Sequence, residues 1–126
     1  MTKLYAVATL KIQAGKLDEF MDLARQAIDV TKAKDTGTTH YEWFFNEDKS
    51  VCTVLEGYED ANACLTHLGN VQAVLMEALK ITEFSCSVLG EVSPELRAAT
   101  AGLNIEYHTN YASSLIEGKV ERVMGL

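Results

Sequence analysis

The side chains with the most chemistry in this 126-residue chain lie close together, between Thr38 and Leu68. His67 can take a proton from a phenol or an enol, because an imidazole ionises near neutral pH. Tyr41 and Trp43 alternate on a strand-like run. They offer flat walls on which an aromatic ring would stack, with the Tyr41 hydroxyl as a hydrogen-bond donor. Glu56 stands within an otherwise apolar run, where a carboxylate must be hydrogen-bonded, paired or neutral. Each group also has a plainer reading. On a wheel through Ala61, Cys64, Leu65 and Leu68, His67 falls on the flank, the place of a partly exposed residue. An aromatic strip on a half-buried strand is ordinarily core packing. Glu56 is expected to serve a structural bond, to Tyr41 across a hairpin or to Arg25 or His67, ahead of acting as a base.

Other chemistries find little support. Cys52, Cys64 and Cys86 are far apart and form no C-x-x-C pair. Their apolar settings suit inert, reduced thiols and an intracellular, cytoplasmic protein. His40 and His108 have no partner identifiable from spacing, and the scattered acids and histidines lack metal-ligand spacing. Neither a dinucleotide fingerprint, a phosphate-binding loop nor an H-E-x-x-H motif is present. No metal site is therefore expected from spacing, and no cofactor motif stands out.

The elements that must position these groups can be read from periodicity. Leu4–Ile12 alternates, with Leu4, Ala6, Ala8, Leu10 and Ile12 on one face and Tyr5, Val7, Thr9 and Lys11 on the other. The small Ala6 and Ala8 would leave room for a ligand beneath the helices. Leu17, Phe20, Met21, Ala24, Ala27, Ile28 and Thr31 recur at helical spacing, predicting a helix over 16–34 stopped by Asp35-Thr-Gly37. Two strands, Thr38–Asn46 and Val51–Tyr58, flank the turn Glu47–Ser50. A two-residue turn centred on Asp48-Lys49 would pair Phe45 with Cys52, Trp43 with Val54 and Tyr41 with Glu56, whereas a three-residue loop would shift the partners to the other face. Asp60 caps the next helix. Gly69-Asn70 is expected to break that helix, with Asn70 capping a second piece through Val71, Val74, Leu75, Ala78 and Leu79. Thr82–Val92 reads as a last strand.

The order β-α-β-β-α-β predicts an α+β, ferredoxin-like fold over 1–93, with 94–126 as a C-terminal extension. In that extension Ser93-Pro94 starts a short helix, Leu103–Tyr111 suits an extended segment, and 118–126 carries no strong pattern. Tyr107 and Tyr111 would close a pocket mouth if the extension folds back. Both faces of the sheet are apolar, and two helices cover only one, so burial of the other against a second copy is expected.

Bulk properties narrow the partners. With 48% hydrophobic and 23% charged residues the chain has ordinary globular composition. A net charge of −7 disfavours nucleic acid and anionic membrane surfaces. The N-terminal apolar run, interrupted by Lys11, is too short and too alternating for a signal peptide or a membrane span.

Several short motifs agree in order: a first strand ending at Gly15, the helix bearing Phe20, Gly37 with Tyr41-Glu42-Trp43, and Leu55-Glu56-Gly57-Tyr58-Glu59-Asp60 leading to His67-Leu68. In this the chain resembles the antibiotic biosynthesis monooxygenases over about Leu4 to Val92. The resemblance implies a dimeric α/β barrel of ferredoxin-like protomers. It implies oxygenation of a quinol, phenolic or polycyclic aromatic by O2, without metal, flavin or haem. His67 would then be the proton acceptor, with Tyr41, Trp43, Glu56, Tyr58 and Ala8 at the substrate. Haem-degrading relatives use an Asn on the first strand, a Trp and a His; here Ala8, His67 and Glu77 stand at about those positions, which speaks against haem degradation. The alternatives are a non-catalytic small-molecule-binding dimer, or a non-oxygenase enzyme of the same superfamily, such as an isomerase or a hydrolase-like protein processing autoinducer-type molecules.

Overall fold

The computed structural model describes residues 3–112, 114–116 and 120–122. Strand β1 (Leu4–Ile12) is followed by α1 (Leu17–Lys34), β2 (Thr38–Phe45), β3 (Val51–Tyr58), α2 (Ala61–Leu79) and β4 (Thr82–Leu89). Beyond them come α3 (Pro94–Ala99), β5 (Ile105–His108), β6 (Ser114–Ile116) and β7 (Val120–Arg122). The main sheet has the order β2-β3-β1-β4-β5, and β6 pairs with β7 apart from it. The first four of those strands are antiparallel, whereas β5 joins β4 in parallel. This is the expected α+β, ferredoxin-like arrangement with one strand added at its edge. The remainder of the patternless stretch 118–126 lies outside the described residues.

Alternation in β1 becomes alternating burial, with Leu4, Ala6, Ala8 and Leu10 all buried. Of the two registers left open by the turn length, the hairpin takes the first: Tyr41 faces Glu56, Trp43 faces Val54 and Phe45 faces Cys52. The connection itself is longer than two residues. Asn46 and Val51 still pair, Asp48 accepts from the Ser50 amide at 3.0 Å, and Lys49 takes a left-handed conformation at φ 59°. Gly37 sits so close to α2 that a Cβ there would lie 2.6 Å from that of Ala63. That contact fixes how the β2 entrance meets the second helix.

Three expectations need correction. α2 runs unbroken through Gly69 and Asn70. Packing on both sides of that point, by Cys64 and His67 before it and Val71 and Ala78 after it, outweighs the roughly 1 kcal/mol that glycine costs a helix. Asn70 is not a cap; its side chain donates to Asp35 at 2.8 Å. In α1, Met21 points outward, and Leu23 instead joins Phe20, Ala24 and Ala27 over the sheet. Finally β4 ends at Leu89, and the segment after it returns to the sheet as β5. No helix among the described residues is long and apolar enough to cross a membrane.

Candidate active site

His67 is 3% exposed, despite its flank position on the wheel. The reason is that α1 packs beside α2, covering the flank that an isolated helix would show to water. At the end of α1 the chain turns into extended backbone at Asp35, which places its carboxylate against the imidazole. Nδ1 of His67 lies 2.7 Å from Oδ2 of Asp35, with both side chains 4% exposed. Thr38 donates to the same oxygen at 2.6 Å, and Asn70 donates to the other at 2.8 Å. Burial pushes the Asp35 carboxyl up, but the bonds from Thr38, Asn70 and His67 outweigh it and hold the group below its ordinary value. An ionised carboxylate only accepts, so Nδ1 donates its hydrogen to it, and Nε2 is the ring nitrogen left for proton exchange. A histidine oriented by a buried carboxylate is the arrangement of a general base.

Around the imidazole stand two tyrosine rings, Tyr41 edge-on at 4.7 Å and Tyr58 at 5.4 Å between centroids. Tyr41 in turn meets Trp43 edge-on at 5.6 Å, and Trp43 and Phe45 each pack on Phe20 at 6.1 Å. Burial, then Glu56 and Asp35, push the Tyr41 phenol far above its ordinary value, so its hydroxyl stays neutral and can donate. The indole Nε1 of Trp43 is buried without a hydrogen-bond partner among the described residues.

Between the helices and the sheet lies an apolar cavity of about 90 Å³. One water needs roughly 10–15 Å³, so this is a built space rather than a packing void. Ala6 and Ala8 form its floor, Tyr41, Trp43, Glu56 and His67 one side, and Thr100, Leu103 and Ile105 the other. His67, Tyr41, Trp43, Glu56 and Ala8 are therefore brought together as cavity walls. Tyr58 is not among the lining residues; it is wholly buried, and its hydroxyl donates to Glu56. That bond takes the place of the expected one from Tyr41. Arg25 pairs with Asp22 on the surface, away from Glu56.

Burial raises the Glu56 carboxyl above its ordinary 4.5, against the downward pull of His67 and of the Tyr58 bond. A raised value means that the folded state holds the proton more tightly than the unfolded chain. Stability from this group is full below 4.5 and is lost as pH rises through the folded value. Glu56→Gln, the isostere of the protonated acid, is therefore expected to melt a few degrees above the wild type at pH 8 and with it below pH 4. Calorimetric melting at the two pH values measures this, and equal Tm at pH 8 refutes it.

The thiols are as inert as expected: burial pushes Cys52 up to about 11 and Cys64 and Cys86 up to about 12. All three are free. His40 contacts the Thr39 hydroxyl, and His108 lies 3.3 Å from Glu106, both on the exposed surface. Among the described residues no three His, Cys, Asp or Glu side chains cluster as metal ligands. Asp35 is the site residue that sequence reasoning passed over. Its only local signal was its place in the helix-ending Asp-Thr-Gly, which says nothing of a partner 32 residues away.

Residues 3–75 match the model of the antibiotic biosynthesis monooxygenase family. The match spans more than half of the chain, which belongs to that family. No curated protein sequence matches it. Among solved structures, MupZ from Pseudomonas fluorescens is similar at TM-score 0.75 and 24% identity, over 86% of this chain and 85% of that one. A Caulobacter crescentus CB15 protein bearing the same family designation superposes at TM-score 0.64 and 25% identity, over 72% of this chain and 91% of its own. Rv0793 from Mycobacterium tuberculosis gives TM-score 0.63 at 17% identity, over 72% and 96%.

Proposed function

We propose that the protein is a cofactor-independent monooxygenase that oxidises a quinol or phenolic aromatic with O2. The observation that carries this reading is the Asp35–His67 pair set in the wall of an apolar, aromatic-lined cavity. Nε2 of His67 takes the phenolic proton, and the Tyr41 hydroxyl donates to the anion so formed. The anion, an electron-rich ring shielded from water, gives an electron to O2. Superoxide and the substrate radical then combine to a peroxide. Loss of water from that peroxide leaves one oxygen atom as a new carbonyl: substrate and O2 give quinone and H2O. The protein supplies the base, the donor and the exclusion of water.

Oxygen uptake with a menadiol or a 1,4-naphthalenediol above the uncatalysed rate tests this. Absence of uptake across both substrates removes the oxygenase reading. A second reading is favoured by the protonated tendency of Glu56 in the same wall: His67 takes a proton from carbon and Glu56 returns one elsewhere, as an isomerase would. Such turnover persists without O2, whereas the oxygenase is silent.

The assembly is a homodimer through the face of the sheet that no helix covers. On it the paired Tyr5 and Leu89 are 37% and 38% exposed and Phe44, in another row beside Thr53, is 52% exposed, apolar surface that water meets at a cost. Sedimentation is expected to show a dimer at micromolar concentration, and a stable monomer overturns this. Three free thiols suit a reducing cytoplasm. The acidic surface suits neither nucleic acid nor an anionic membrane as partner.

A further inference from the structure

The Caulobacter and Mycobacterium structures are matched over more than nine-tenths of their own length, yet cover 72% of this chain. That is close to the share ending with β4, at residue 89 of 126. The α3–β5 segment beyond β4 is firmly attached to the core. Leu96 of α3 is 1% exposed in the core with Leu4, Tyr58 and Val88. The Thr100 hydroxyl donates to the Leu96 carbonyl at 2.9 Å and contacts the Tyr107 hydroxyl, while the Arg97 guanidinium lies 4.1 Å from the Tyr107 ring centre. β5 is stitched to β4 by bonds from Cys86 to Asn104 at 3.0 Å and from Gly90 to His108 at 2.8 Å. This segment puts Thr100, Leu103 and Ile105 into the cavity wall. Tyr107 is occupied behind that wall, and Tyr111 is exposed, so neither tyrosine closes a mouth as expected.

Strand register shows where the wall stands. Trp43, Val54, Ala8, Cys86 and Ile105 form one row across all five strands, and all line the cavity. With strands about 4.8 Å apart, the row is about 19 Å from end to end at Cα level. Its β2 end is filled by the Tyr41–Trp43 pair next to His67, and its middle is low, at Ala8. A ligand held at His67 that lengthens along this row passes over Ala8 toward β5. There it meets Leu103 and Ile105.

We propose that the α3–β5 segment is the specificity wall of the site, and that Leu103 and Ile105 disfavour a third fused ring on its substrate. The proposal rests on the phenolic reading of the cavity given above. Each linearly fused ring lengthens a ligand by about half a strand spacing, so a third ring carries it that much further toward these side chains. Thr100, with its hydroxyl engaged, anchors the wall and reads nothing.

Calorimetric titration with 2-naphthol and 2-anthrol, kept anaerobic so that no turnover intrudes, tests this. The wild type is expected to bind 2-naphthol at least about tenfold more tightly. Leu103→Ala and Ile105→Ala are each expected to shrink that preference roughly tenfold by tightening 2-anthrol. Ile105→Val, which keeps β-branching and strand packing, shrinks it less and guards against loss of the fold. An unchanged ratio in folded variants overturns the proposal, as does equal binding of the two phenols, or binding of neither, by the wild type. If the ratio moves while oxygen uptake is absent, the wall stands and the oxygenase reading falls.

Discussion

His67→Ala is expected to lower oxygen-consuming turnover roughly 10²- to 10⁴-fold while leaving phenol binding within a few-fold of the wild type. The split arises from the site's construction. The binding surface is the alanine floor, the aromatic side and the aliphatic wall, in which the imidazole is one side chain among many. The proton, in contrast, has one acceptor in place: Nε2, made available because Nδ1–H is committed to Asp35. The variant also loses a buried partner of a carboxylate. Asp35 keeps Thr38 and Asn70 as donors, so the fold should survive a loss of about 2–3 kcal/mol. Added imidazole should restore part of the rate by entering the space left behind. Oxygen-electrode rates, with anaerobic calorimetry for binding, measure both halves. Turnover unchanged by the substitution removes His67 from the chemistry. Equal losses of turnover and binding assign it to packing.

Much of the scaffold was legible because local signals and tertiary packing agree. β1 alternates in sequence, and its burial alternates in space. Asp60 reads as a cap, and its carboxylate accepts from the Ala63 amide at 2.9 Å. The shared face of Tyr41, Trp43 and Phe45 follows from alternation alone, whereas their partners Glu56, Val54 and Cys52 depend on a turn length that the sequence leaves open. Legibility ends where a residue's role is set by a distant element. A helical wheel treats α2 as covered on one side, whereas α1 and the sheet together cover a wider arc that takes in His67. Gly69 carries a local breaking signal, and packing along the whole helix overrides it. β5 is four residues long, with Ile105 and Tyr107 inward and Glu106 and His108 outward. So short an alternation has meaning only once the edge of β4 is there to receive it. The candidate site divides in the same way. Its aromatic and alanine walls are readable as strand faces, but the Asp35–His67 pair exists only because the end of α1 meets the middle of α2.

Asp35→Asn is expected to cost about 2–3 kcal/mol of stability and to lower turnover by roughly 10²-fold or more, although it changes no shape. The carboxylate accepts three bonds: from Thr38 and His67 on one oxygen and from Asn70 on the other. An amide has a single acceptor atom. If its oxygen faces His67 and Thr38, its NH2 faces the NH2 of Asn70; if it is turned round, a donor faces Nδ1–H. The second orientation drives the imidazole to its other tautomer, with the proton on Nε2, where no base remains. The acid limb of stability gives a readout that a general packing defect would not move. Asp35 is held below its ordinary 3.8 in the folded state, so the unfolded chain binds the proton more readily. Its contribution is complete above about pH 4 and is lost as pH falls through the folded value. The wild type should therefore lose stability steeply below pH 4, and the Asn variant should start lower at neutral pH and lose less on the way down. Urea melts at pH 7 and pH 3 decide it. A difference between the two proteins that stays the same at both pH values would show that Asp35 holds His67 by shape alone.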